Sequence, residues 1–193
     1  MGSAGIVVDD SGVARCWWAA ATPDYIAYHD HEWGSPVHGE SKLYERLTLE
    51  AFQSGLSWLT ILRKREGFRA AFAGFDADKV AAFGEDDVEV LMAQTSIVRN
   101  RAKIRAAVTN AQAVLRLREA GGLDELIWSF APATHRQPRT PAEVPSSTAE
   151  SIELAKALKR HGFIFVGPTT AYAGMQACGL VNDHLSGCQR GGP

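Results

Sequence analysis

The chain has 193 residues, 46% hydrophobic and 22% charged, with 20 Lys plus Arg against 22 Asp plus Glu and a formal net charge of -2. This composition builds a compact folded unit and excludes a disordered or collagen-like chain, and the charge balance does not by itself announce a nucleic-acid partner. No window approaches the roughly 18 uninterrupted apolar residues of a spanning helix, so no membrane partner and a cytoplasmic location are expected.

Apolar residues recur at spacings of three and four, and β-branched runs are short, which predicts a mostly helical chain. Residues 1–14 are expected to form a flexible leader. A helix is predicted over residues 41–56, from Ser41 to the stop signal Gly55, and a second from about Ser57 to Glu66. Asp76 can cap a short helix, and Glu85 or Asp86 can open another through Met92. The longest helix, about Asn100 to Ala120, carries Ile104, Val108, Ala111 and Leu115 on one stripe and ends at Gly121 and Gly122. Pro132, Pro138, Pro141 and Pro145 make residues 131–146 an irregular connection. Ser147 and Glu150 then form a predicted capping box for a helix that Gly162 stops, and a last helix runs from Thr169 to about Cys178.

Cys16, Cys178 and Cys188 are too few for a disulfide framework, so reduced thiols or metal ligands are the better expectation. Cys16 and His29, with His184 and Cys188, supply two thiolates and two imidazoles, the mixture a closed tetrahedral zinc site takes. A rival set is His29, Asp30, His31 and Glu32, which would offer oxygen and nitrogen ligands with an open position for water, as in a metal-dependent hydrolase.

In the helix of residues 41–56, a turn of about 100° per residue puts Glu50 in line with Leu43 and Leu47. A buried carboxylate needs hydrogen-bond donors, from the protein or from a ligand. Trp17, Trp18, Tyr25, Tyr28, Trp33, Tyr44 and Trp58 crowd the same region. Carboxylate and stacking surfaces together suit a flat, donor-bearing or cationic heterocycle. Between Val98 and Arg118 lie Arg99, Arg101, Lys103, Arg105, Arg116 and Arg118 with no acidic residue, a candidate phosphate contact beside the turn QTSIV.

The strings YIAYHDHEWG, GLSWLTILRKRE, SIVRNRAKI, GFIFVGPTTAY and MQACGLVNDH resemble the DNA-3-methyladenine glycosylase I family, collinearly from about Cys16 to Cys188. The resemblance implies an all-α helix-hairpin-helix glycosylase fold in one domain over 15–193. Its inner helical block would span about 41–130, and structural zinc would join the terminal segments 15–40 and 147–190. It implies zinc ligands Cys16, His29, His184 and Cys188, and a pocket for the alkylated base made by Glu50, Tyr28 and Trp58 and lined by Trp18 and Tyr25. Glu50 would be the catalytic carboxylate. Leu56 would insert into the DNA stack, and LMAQTSIVRNRAKI, with Ser96, Ile97, Arg99, Arg101 and Lys103, would grip phosphates. The implied reaction is release of 3-methyladenine from double-stranded alkylated DNA by a monomer, without strand cleavage. Two departures are Ser96 at the hairpin glycine, where a strained positive φ is expected, and Gly174 in place of a bulky residue, where a cavity or wider pocket is expected. The alternatives are the hydrolase built on His29 and His31, and a DNA-lesion binder that does not turn over.

Overall fold

The computed structural model describes residues 5–191. Nine helices dominate these residues: α1 (Pro23–His31), α2 (Glu40–Gln53), α3 (Trp58–Ala71), α4 (Ala77–Ala81), α5 (Glu85–Ala93), α6 (Arg101–Leu117), α7 (Gly122–Trp128), α8 (Ala149–Arg160) and α9 (Pro168–Ala177). The fold is not purely helical. Ile6–Val8 (β1) pairs antiparallel with Ala14–Cys16 (β2), matching Ile6 to Cys16 and Val8 to Ala14. Part of the expected leader is therefore a hairpin strand; residues 1–4 lie outside the described residues. The local reason is the β-branched run Ile6-Val7-Val8 followed by a turn in which the Asp9 carboxylate accepts from the Ser11 and Val13 amides.

Helix α2 is the hub, with Leu43, Tyr44 and every residue from Arg46 to Phe52 buried. It packs on α3, α6, α7 and α9. Three of the four predicted stripe residues of α6, Ile104, Val108 and Ala111, are buried, while Leu115 is only partly buried and Val114 beside it takes the core position. Asn100 caps the helix by accepting from the Lys103 amide. Asp76 caps α4 as expected. The cap of α8 is Thr148 paired with Ser151, one residue later than the predicted box. Two helices carry no strong periodic signal and were not anticipated. One is α1, capped by Thr22 with Pro23 in its first turn; the other is the short α7.

Helix α3 runs past Gly67 because that glycine serves close approach rather than termination: a Cβ there would collide with the Ser96 carbonyl oxygen. Ser96 itself does not take a positive φ. Among the described residues the non-glycine positions that do are Ala73, Phe75 and Phe165, so the strain expected at Ser96 is absent. Gly174 is buried against α2, where Leu47 Cδ2 lies 3.9 Å from its would-be Cβ. It does not line the pocket described below, so no widening follows from it.

The two ends of the described chain meet. Cys16, Leu185 and Cys188 form a small apolar cluster of their own with Ile6, Trp18 and Val144 against it. The Gln189 amide donates to the Ala14 carbonyl at 2.8 Å.

Candidate active site and metal centre

Helix α1 holds one residue of each site side by side. His29 points into the junction of the chain ends, and Tyr28 points into a cavity between α1, α2, α3 and α9.

At the junction, His29 Nε2 lies 3.1 Å from His184 Nδ1 and 3.3 Å from Cys188 Sγ. His184 Nδ1 lies 3.7 Å from Cys188 Sγ and 4.0 Å from Cys16 Sγ. All four residues are buried. Zn–N bonds of about 2.0 Å and Zn–S bonds of about 2.3 Å in a tetrahedron require ligand-to-ligand edges of about 3.3 to 3.8 Å. The four donor atoms all lie within 4.8 Å of one another, close enough that the set could hold one metal ion. The outer nitrogens are also engaged: His29 Nδ1 meets Asp30 Oδ1 at 2.7 Å, Arg15 binds Asp30, and His184 Nε2 meets the Trp33 carbonyl at 3.0 Å. Such partners fix the imidazoles with one nitrogen inward. The Leu185 and Arg190 amides donate to the Cys16 and Cys188 sulfurs.

The rival set does not form. Asp30 serves His29 and Arg15, His31 is exposed, and Glu32 is bound by Arg46 at 3.1 Å and by Arg65 at 2.5 and 2.8 Å. Chain proximity made the cluster attractive, but consecutive residues of one helix face different directions.

The cavity beside Tyr28 is about 250 Å³, the size of a single heterocycle rather than a drug-sized ligand. Its aromatic walls are Trp18, Tyr25, Tyr28, Trp33 and Trp58. Four of these, Trp18, Tyr25, Tyr28 and Trp58, are the aromatic residues that the sequence assigns to the pocket with Glu50, and Trp33 joins them. Of the other crowded aromatics, Trp17 is exposed and Tyr44 lies in the core. Tyr28 and Trp58 sit 5.4 Å apart at 45°, and Trp18 meets Trp33 edge-on at 5.1 Å. The Tyr25 hydroxyl accepts from the Leu59 amide at 3.0 Å, tying α1 to the start of α3.

Glu50 reaches the cavity from α2, 6% exposed, with no hydrogen bond from any described residue. Burial pushes its carboxyl up to about 8, while the buried Arg46 guanidinium one turn earlier pulls it down. Arg46 lies 5.8 Å from the Tyr28 ring centroid. Burial likewise raises the Tyr28 phenol well above its ordinary value, so it faces the cavity as a neutral hydroxyl. The indole N–H of Trp58 is buried without a partner among the described residues. Sequence reasoning missed Gln53, Ala173 and Gln176, which complete the lining. Helical spacing could have found Gln53, one turn after Glu50; Gln176 needed the tertiary placement of α9.

The proposed DNA contacts divide. Leu56 is 41% exposed at the rim of an adjoining groove, and Ser96 and Arg99 are exposed on the loop between α5 and α6. Ile97 is buried and belongs to the core. Arg101 is paired with Glu89, Arg105 with Glu85, and Arg118 with Glu40 and Asp78, so the local excess of positive charge seen in sequence is largely neutralised by other helices. Lys103 is turned inward rather than to the surface. It is 7% exposed and donates to the carbonyls of Phe52 at 2.9 Å and Ser54 at 2.6 Å. It satisfies the end of α2 where the chain turns toward Leu56.

The sequence matches the family described as methyladenine glycosylase over residues 18–191. The chain is 49% identical over 180 residues to DNA-3-methyladenine glycosylase 1 of Escherichia coli (strain K12), covering 90% of this chain and 95% of that protein. It is 44% identical over 178 residues to DNA-3-methyladenine glycosylase of Haemophilus influenzae, covering 90% and 96%. A solved structure from Staphylococcus aureus, described as the structural basis of 3-methyladenine recognition by 3-methyladenine DNA glycosylase I, superposes with a TM-score of 0.86 at 35% identity, covering 91% of this chain and 95% of that one. The chain belongs to the methyladenine glycosylase family.

Proposed function

We propose that this protein is a DNA repair glycosylase that hydrolyses the N-glycosidic bond of 3-methyladenine in alkylated double-stranded DNA and leaves the strand intact. The observation that carries this is the buried Glu50 carboxylate, without a donor from the protein, on the wall of an aromatic cavity of base size. A buried acceptor with no partner is costly until a ligand supplies donors. An adenine alkylated at N3 supplies them through its exocyclic amine, and while attached to the sugar it also carries positive charge.

The cationic base displaces to solvent the proton that burial holds on Glu50 in the free protein. The resulting carboxylate accepts from that amine and opposes the positive charge, Trp58 and Trp18 offer faces for the flat ring, and the Tyr28 hydroxyl meets the ring edge. An acceptor on the base would satisfy the Trp58 N–H. N3 alkylation makes the base a good leaving group, so the main work is extruding the lesion and discriminating it from normal adenine. Leu56 fills the gap left in the stack, and α5, the loop at Ser96 and α6 serve as the helix-hairpin-helix, with Arg99 on phosphate. Arg101 would reach phosphate only by leaving Glu89.

The ion we assign to Cys16, His29, His184 and Cys188 is Zn²⁺. Four protein ligands fill its tetrahedral shell, so its contribution is to join the chain ends. The active unit is a monomer in which the hairpin strand Ile6–Val8 belongs with residues 15–193, with its helical block at 41–130. No helix among the described residues is long and apolar enough to cross a membrane, and the cytoplasm, where DNA is repaired, is the proposed location. The test is release of free 3-methyladenine from methylated duplex DNA by the metal-loaded protein. Free base with intact strands is expected. Tight binding to damaged DNA without release would instead identify a lesion binder.

A further inference from the structure

The polar wall that α9 gives the cavity is unused by the chemistry above. Gln176 lines the cavity one turn after Ala173. Its amide nitrogen donates to Asp183 Oδ2 at 2.7 Å, and the same oxygen accepts from the Tyr172 hydroxyl at 2.6 Å. Asp183 is buried, 3% exposed, and its other oxygen lies 3.0 Å from His135 Nε2.

Shape alone does not distinguish the two ends of a glutamine amide, but chemistry does here. A carboxylate only accepts, so the end that meets Asp183 is the NH2 group. The carbonyl oxygen Oε1 is therefore turned away from Asp183, and no described residue donates to it. Glu50 from α2 and Gln176 from α9 then bring two acceptors to one small cavity.

We propose that Gln176 presents Oε1 as a second acceptor for the exocyclic amine of the bound purine, and that Asp183 is a positioning residue that holds the amide in this orientation. The inference rests on the glycosylase reading and sharpens its substrate class. An exocyclic amine carries two N–H donors, one for each acceptor. A 6-oxo purine places a carbonyl oxygen against the same two acceptors and leaves both without a donor. The pocket thus selects 6-amino over 6-oxo lesions through Gln176 as well as Glu50.

The experiment titrates free 3-methyladenine and 3-methylhypoxanthine into the full-length, metal-loaded protein by tryptophan fluorescence, for wild type and Gln176→Met. The amine-bearing base should be preferred by wild type, and the variant should lose about tenfold of that preference, one hydrogen bond's worth. Metal content and affinity for DNA carrying an abasic analogue should stay at wild-type values. A preference equal to wild type overturns the role of Gln176. In the ligand-free wild type, the side-chain amide protons of Gln176, identified as the NMR pair missing from Gln176→Met, should exchange slowly because Asp183 holds them. Exchange as fast as a solvated amide overturns the role of Asp183. If wild type releases 3-methyladenine from DNA while either result fails, this inference alone is wrong. If wild type neither binds nor releases the base, the glycosylase reading falls and takes the inference with it.

Discussion

The two sites flanking α1 are built from similar materials and differ in whether their polar groups are satisfied. Around His29 each inward donor atom faces the other three, each outer imidazole nitrogen meets an oxygen, and each sulfur receives a backbone amide. Around Tyr28, the Trp58 N–H is buried without a partner among the described residues, and the Glu50 carboxyl, on the cavity wall, takes its shift from burial and Arg46 with no hydrogen bond contributing. Closed coordination stores its energy in the fold, whereas the open site keeps a desolvation cost in reserve for a ligand. Helix α1 makes the first a platform for the second: the Trp18 ring lies 5.2 Å from His29 and 6.4 Å from Tyr28.

The largest expected effect comes from opening the closed site. Cys188→Ala should abolish stoichiometric metal in elemental analysis and lower the melting temperature by about 10 °C, roughly 3 kcal/mol in a chain this long. Prolonged chelation of wild type should do the same. Full metal content with an unchanged melting temperature would reduce the cluster to packed side chains.

The open site predicts an opposite signature. Glu50 titrates near 8 when folded and near 4.5 when unfolded, so the folded state binds the extra proton between these values. Its contribution to stability is therefore fully present below about pH 4.5 and is lost as pH rises toward 8. Glu50→Gln has no such proton to lose. In urea unfolding it should match wild type near pH 5 and exceed it by a few kcal/mol near pH 8. Parallel pH profiles would mean that the carboxylate is satisfied in the folded state.

These two sites were legible in the sequence to different depths. The four candidate metal ligands could be grouped by residue type, but only the fold closes the distance from His29 to His184. Glu50 was legible because helical phase alone put it among Leu43 and Leu47. Lys103 was not: its charge suggested phosphate, and nothing local shows that Phe52 and Ser54 turn their carbonyls toward it. The same limit applies to Arg101 and Arg105, whose acidic partners lie on another helix. Ile6–Val8 escaped because a three-residue strand is too short for a period to register.

Lys103 and Arg99 therefore separate structural from DNA-facing cations. Lys103→Met leaves two carbonyls of the α2 end without their donor and should destabilise by about 1 to 3 kcal/mol, leaving the salt dependence of DNA binding as in wild type. Arg99→Ala should leave stability within about 0.5 kcal/mol while lowering the slope of log affinity against log salt by about 0.9. Urea unfolding and a salt titration on duplex carrying an abasic analogue read both. The reverse pattern would return Lys103 to the DNA face.

The central claim is that the unsatisfied carboxylate, and not the metal cluster, does the work on the base. Single-turnover excision of 3-methyladenine by metal-loaded Glu50→Gln tests it most directly, because the substitution keeps size and one acceptor while removing the charge. Excision should fall by at least about tenfold, roughly 1.4 kcal/mol in the barrier, with metal content and abasic-DNA affinity equal to wild type. Wild-type excision by this variant would contradict the account and make Glu50 a buried carboxyl that takes no part in the reaction.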